Sequence, residues 1–360
     1  MNNIKIKKIQ DVNVYGKNVI VRVDFNVLLN DEGDVKSTYK INAARDTINY
    51  LIEGGANHIG LLTHFGRPDG QVNEKYSIKN MTDDVARIFQ QEVTFVPECV
   101  GEKVVDALGD DTLSKILLLE NVRFHKGEKE NTKTFAAQLC APFDIYVNEA
   151  FGVSHRRHAS VHAITRCLPS YAGLWLQKEL DNLKHIKYEP THPAAAIIGG
   201  SKIDTKIPMI EEFSQKYDTV LVGGKTAVQA KERGMKFGDN VIFPIDFEYN
   251  YYDIGLGTIE RFCDVIKKAK TIVWNGPMGL IEEEKYKKGT LAFIEEIANN
   301  GEAFSLIGGG ESAQMVDESG LLDKISFVST GGGAMLAYLG GEEMPAIEAL
   351  LCKGKDGKCE

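Results

Sequence analysis

Lys202 and Lys206 stand four residues apart in Gly199-Gly200-Ser201-Lys202-Ile203-Asp204-Thr205-Lys206, directly after the apolar run 194–198. A strand that runs through glycines into a helix leaves unpaired N–H groups at the turn, and lysines one helical turn apart share a face above them. The chemistry suited to that arrangement is the binding of phosphate. The same pattern recurs where strand-like runs end in Val222-Gly223-Gly224, in Trp274-Asn275-Gly276-Pro277-Met278-Gly279, at 307–311, and in Ser329-Thr330-Gly331-Gly332-Gly333. Glycine lets the backbone approach a ligand closely, so several such ends on one sheet edge would form a nucleotide cleft.

The first half gathers arginines at the ends of expected strands: Arg22 in Val21-Arg22-Val23-Asp24-Phe25-Asn26, Arg67 in His64-Phe65-Gly66-Arg67-Pro68, and Arg123 in Asn121-Val122-Arg123-Phe124. Arg156 and Arg157 follow in Ser154-His155-Arg156-Arg157-His158. Guanidinium groups bind phosphate and carboxylate through paired donors, so the set reads as a pocket for a small polyanion, with pairing to carboxylates at sheet ends as the plainer alternative. Asp24 and Asn26, two apart on a strand, face one way and either hold sugar-like hydroxyls or bond a neighbouring loop. His155, His158 and His162 have helical spacing but no nearby carboxylate or cysteine to complete a metal shell, which leaves substrate contact or structural hydrogen bonding. Gly223-Gly224-Lys225-Thr226 mimics the end of a Walker loop, yet Thr219 stands where that loop needs glycine.

The elements that must position these residues alternate. Apolar β-branched runs at 18–27, 58–63, 93–97, 116–120 and 144–147 are separated by helix-like stretches such as 42–53 and 77–90. The pattern restarts after Pro190-Thr191-His192-Pro193, with strands expected at 194–198, 219–222, 241–243, 271–274, 303–307 and 325–329. Alternating βα units specify α/β architecture, so the expectation is two doubly wound parallel-sheet domains, 1–172 and 189–345. An apolar pattern at 173–188 with no glycine or proline after its first residue reads as an interdomain helix and hinge, and 346–360 as a C-terminal tail that is mobile at 353–358. The length of 360 residues suits two cores. A net charge of −9 argues against nucleic acid or an anionic membrane as partner. With no apolar segment long enough to span a membrane and no signal core behind Met1, the expected setting is cytoplasmic. The six cysteines are far apart without a C-x-x-C and read as reduced thiols, Cys352 and Cys359 being the pair that oxidation can join.

In the order and spacing of these segments, from about 18 to 350, the chain closely resembles phosphoglycerate kinase. The resemblance implies reversible transfer of the acyl phosphate of 1,3-bisphosphoglycerate to ADP, giving ATP and 3-phosphoglycerate, by a monomer with Mg²⁺ and a hinge-closing step. It implies that the first domain binds the glycerate through Arg22, Asp24, Phe25, Asn26, Lys40, His64, Phe65, Gly66, Arg67, Arg123 and Arg156. The second would bind nucleotide through Gly200, Lys206, Gly223, Gly224, Asn275, Glu282, Gly309, Gly310, Glu311 and Ser312, with Glu311 holding the metal. Lys40, Lys202, Lys206 and the helix start at Gly331, Gly332 and Gly333 would serve the phosphoryl group in transit.

Three departures stand out. Lys40 replaces the family's arginine, with Arg157 as a candidate substitute; Glu311 and Glu149 replace aspartates; and the segment between Gly224 and Asp253 is much shorter, with Tyr251 and Tyr252 either stacking on a base or filling space. These departures motivate the rival expectation of a catalytically weakened ligand- or protein-binding module. A Rossmann dehydrogenase is excluded because no early strand leads into G-x-G-x-x-G.

Overall fold

The computed structural model describes residues 5–30, 33 and 35–352, so the tail at 353–358 and Cys359 lie outside the described residues. The chain divides into two compact units, one comprising residues up to Glu179 together with those from Glu343 onward, the other Leu180–Glu342.

In the first unit six strands, β1 (Val19–Arg22), β2 (Ile59–Leu62), β3 (Val93–Val96), β4 (Ile116–Leu119), β5 (Ile145–Asn148) and β6 (Ser170–Ala172), form a parallel sheet in the order β3-β4-β2-β1-β5-β6. Strand alternation sends Val19 and Val21 into the core on one face and Ile20 into the core on the other. A sheet covered on both faces requires such unbroken apolar runs, which is why five strands are visible in the sequence. The sixth is three residues long and begins with Ser170 just after Pro169, too short to give a period.

The second unit repeats the plan with β7 (Ala194–Ile198), β8 (Thr219–Val222), β9 (Val241–Ile242), β12 (Thr271–Asn275), β13 (Phe304–Gly308) and β14 (Phe327–Ser329), ordered β14-β13-β12-β7-β8-β9 and parallel throughout. A two-stranded antiparallel ribbon, β10 (Phe247–Glu248) and β11 (Asp253–Ile254), occupies the shortened segment and was not expected. Because the order runs outward in both directions from β7 and β12, their carboxyl ends mark a switch point, where α/β sheets open a ligand crevice.

The unit boundary falls inside helix Leu174–Tyr188. Glu149 lies at the start of that helix, accepting the N–H groups of Trp175 and Leu176 at 2.9 Å each and the hydroxyl of Thr47. Burial pushes its carboxyl up to about 7, against the pull of those donors.

The first residues of the stretch expected as a C-terminal tail are held against the first unit. Helix Pro345–Glu348 and Leu350 are packed in the first unit, with Ala346 N–H donating to Ser154 O and Lys7 N–H to Leu350 O. Cys99, Cys140, Cys167 and Cys263 are free thiols, as expected, and Cys352, one of the pair read as able to join on oxidation, is in a disulfide.

Candidate active site

At the end of β1 the chain delivers Arg22, Asp24 and Asn26 to the sheet edge where the Thr63–Arg67 loop leaves β2. Arg22 is only 1 % exposed, and each of its three nitrogens is engaged: Nε gives to Ser160 Oγ at 2.8 Å, Nη1 to Val23 O, and Nη2 to His64 Nδ1 at 3.2 Å. Lys40 reaches Asp24 Oδ2 at 3.1 Å, while buried Asp24 Oδ1 has no partner among the described residues. Burial opposes ionisation of Asp24, but the charges of Lys40 and Arg22 outweigh it and hold the carboxyl far below its usual range. Burial, aided by Arg22, Arg123 and Lys40, holds His64 neutral despite Asp24.

The loop after His64 is tied down by Asn121, whose amide donates to Phe65 O at 2.7 Å and Tyr76 O at 2.8 Å. Gly66 N–H donates to Asn26 Oδ1 at 3.0 Å, and Arg123 Nη1 to Gly66 O at 2.8 Å. Gly66 has φ +62, and a side chain there would run into the Tyr76 ring. Burial and the neighbouring charges of Arg22 and Arg156 lower Arg123 to about 10, and its buried Nε has no partner among the described residues. Guanidinium groups crowded together in this way form a site short of negative charge. Arg67 is exposed beside it.

In the second unit the ends of β7, β8, β12, β13 and β14 all lie on the carboxyl edge of one sheet, bringing Gly200, Gly223, Gly224, Asn275, Gly309 and Gly331 to that edge. The glycine turns pack backbone to backbone: Gly200 N–H donates to Pro277 O at 2.8 Å, and a Cβ on Gly332 would lie 2.7 Å from Gly309 Cα. Helix Gly310–Glu318 starts at one of these turns with Glu311 in its first turn, and helix Gly332–Leu339 at another. Lys206 is 7 % exposed and donates to Asn275 Oδ1, while Asn275 Nδ2 donates to Gly308 O at 3.0 Å. Burial lowers Lys206 to about 8, with Glu311 acting the other way.

The paired lysines do not share a face. Residues Ile203–Thr205 form a 3₁₀ turn, with three residues per turn, so a spacing of four rotates Lys202 away; it is exposed while Lys206 is buried. Arg157 pairs with Glu343 at 2.8 Å, which corrects its candidacy as a replacement for the arginine missing at 40. Thr226 gives its hydroxyl to the carbonyls of Gly199 and Gly200, in keeping with a false Walker loop. Ser312 Oγ accepts Gly276 N–H at 3.0 Å, and Glu282 is exposed.

A phosphoglycerate kinase family model matches residues 9–244 and 243–342. The chain is 36% identical over 389 residues to a phosphoglycerate kinase of Desulforudis audaxviator, covering 96% of this chain and 98% of that protein. The chain belongs to the phosphoglycerate kinase family. It is also 37% identical over 394 residues to the phosphoglycerate kinase of Pseudothermotoga lettingae, covering 96% and 99%. Among solved structures, the phosphoglycerate kinase of Pyrococcus horikoshii superposes with a TM-score of 0.85 at 28% identity, covering 96% of this chain and 98% of that one. The alignment to the first relative exceeds the 360 residues of the chain, and the family match is split at 243–244, within the segment that the sequence marks as shortened.

His155 was left among open alternatives by the sequence, and the structure sets it beside Arg156: its Nε2 accepts from Arg156 Nε at 3.2 Å, and its buried Nδ1 has no partner among the described residues. Burial and the Arg156 charge lower it to about 4. His158 faces Glu128 at 3.6 Å and His162 lies 2.9 Å from Asn131 Nδ2. No group of three metal-ligating side chains occurs among the described residues. A Mg²⁺ ion held mainly by phosphates and water needs only one or two carboxylates, and Glu311 at a glycine-rich helix start fits that demand.

Proposed function

We propose that this chain is a phosphoglycerate kinase that moves a phosphoryl group between ATP and the carboxylate of 3-phosphoglycerate, giving ADP and 1,3-bisphosphoglycerate, and the reverse. The observation that carries the reading is the buried Lys206 at the switch point of a sheet whose glycine turns line one edge, in a chain whose first unit holds a separate arginine-rich site.

A carboxylate is already ionised at neutral pH, so attack on the γ-phosphorus needs no general base. In the glycerate site Arg67, Arg123 and Arg156 would bind the phosphate and carboxylate, Asp24 Oδ1 would accept from the hydroxyl, and neutral His64 would donate. Asn26, Phe25, Phe65 and Gly66 would shape the site. On the nucleotide side the turns at Gly200, Gly223, Gly224, Gly309 and Gly310 would let phosphates approach the backbone, and Lys206 and Lys202 would offset charge that moves between donor and acceptor. Asn275 and Ser312 would act by holding Lys206 and Gly276 in place. Glu311 would hold Mg²⁺ together with the nucleotide phosphates, where the ion offsets their charge. Glu282 would take the ribose hydroxyls, and the start at Gly331, Gly332 and Gly333 would meet the phosphoryl group.

Transfer requires the two ligands to come within bonding range, so the reading includes a closing motion about helix Leu174–Tyr188. It also takes the enzyme to act as a cytoplasmic monomer. The relatives' names favour turnover over a binding-only module. A coupled assay with ATP, Mg²⁺ and 3-phosphoglycerate tests the reading: ADP release that depends on 3-phosphoglycerate is expected, and binding of both ligands without turnover would overturn it.

A further inference from the structure

The glycerate-side histidine is held by a chain of buried groups that reaches the far side of Arg22. Glu128, fully buried at the head of helix Lys126–Lys129, accepts the backbone N–H of Ser160 at 2.8 Å on Oε2 and the Ser160 hydroxyl at 2.7 Å on Oε1. The Ser160 hydroxyl, with its proton given to Glu128, uses a lone pair to accept Arg22 Nε at 2.8 Å. Arg22 in turn reaches His64 Nδ1 at 3.2 Å.

Arginine has donors and no acceptor, so the Nδ1 of His64 must accept. Among the described residues the competing partner on that nitrogen, Asp24 Oδ1, is 3.8 Å away, beyond hydrogen-bond distance. A neutral imidazole that accepts at Nδ1 carries its proton on Nε2.

We propose that Glu128 and Ser160 are positioning residues that, through Arg22, lock His64 as the Nε2–H tautomer, so that it presents one fixed donor to the glycerate ligand. The proposal rests on the kinase reading for the identity of that ligand. It gives Arg22 a different role from the arginines beside it: its guanidinium orients a neighbour instead of touching substrate. Without the serine bridge, Arg22 Nε would be left buried and unpaired, and its plane would be free to turn away from His64. The buried Glu128 also serves as the charge partner of Arg22 at one remove, since no carboxylate among the described residues hydrogen-bonds that guanidinium directly.

The test is nitrogen-15 NMR of the histidine rings in the full chain, with His64→Gln used only to assign the His64 signals. The wild type is expected to show His64 neutral and protonated at Nε2 between pH 6 and 8. Ser160→Ala and the near-isosteric Glu128→Gln should shift it towards a mixture of tautomers and raise KM for 3-phosphoglycerate about tenfold, leaving KM for ATP unchanged, while Ser160→Thr restores both readouts. A wild-type ring protonated at Nδ1, or charged across that range, would overturn the proposal, and that spectrum needs no variant to fold. Variants that lose thermal stability but keep the wild-type tautomer and KM would overturn it too. Wild-type turnover reports on the kinase reading separately, because the tautomer is read without substrate.

Discussion

Lys40 Nζ lies 3.1 Å from Asp24 Oδ2, and the pair is half in, half out of solvent, with Lys40 26 % and Asp24 9 % exposed. The lysine that replaces the family's arginine is therefore committed to an aspartate in the expected glycerate site, and one ammonium on a flexible stem cannot hold that carboxylate and also present a fork to a phosphoryl oxygen. Lys40→Arg is expected to keep the pair and add a second donor, raising turnover by about 1–2 kcal/mol of barrier with little change in substrate affinity. Steady-state kinetics with both substrates check this; lower turnover with normal binding would mean that the cleft has been rebuilt around lysine.

Lys206 supplies a pH test. Its ammonium loses its proton at about 8 instead of the usual lysine range because it is buried. Where the charge is needed for transfer, kcat/KM for ATP should fall as pH rises through about 8, and Lys206→Arg should move that limb upward.

The same burial has the opposite sign for stability. A base whose folded pKa is depressed gives stability that is present above its unfolded pKa of about 10.5 and is lost as pH falls through about 8. Lys206→Met should therefore match or exceed the wild type in thermal stability at pH 7 while cutting turnover by about a thousandfold. A large fall in melting temperature would show that the contact with Asn275 outweighs the burial cost.

Glu149 has its carboxyl raised to about 7, so its contribution is fully present below the unfolded value of about 4.5 and is lost as pH rises through about 7. Thermal melts of the wild type should show stability declining over that interval, by at most about 3 kcal/mol for this group. In Glu149→Gln the slope should flatten, at the cost of one of the two N–H contacts at the head of helix Leu174–Tyr188.

Arg67 is exposed, unlike Arg22 and Arg123. Arg67→Ala should weaken 3-phosphoglycerate binding about tenfold to a hundredfold in calorimetry and leave ATP binding and melting temperature unchanged. Weaker ATP binding with normal 3-phosphoglycerate binding would reverse the assignment of ligands to the two units.

The sequence by itself determined the α/β class and the strand positions, because strands buried on both faces must be continuous apolar runs: 194–198 and 219–222 coincide with β7 and β8. It also determined the family, through the order of its glycine- and arginine-bearing segments. It could not reach the ribbon β10–β11, whose strands of two residues have no period to read. Tertiary structure alone decided which charges meet. Lys202 and Lys206 diverge because the turn between them is 3₁₀, and Arg157 turns to Glu343, nearly two hundred residues away in sequence. Arg22 looks like its neighbouring arginines in the sequence, but Ser160, itself held by Glu128, takes its Nε, and Val23 O and His64 take its other two nitrogens. A strand's burial follows from its own residues, whereas a side chain's partner depends on where the rest of the chain returns, and no local spacing encodes that.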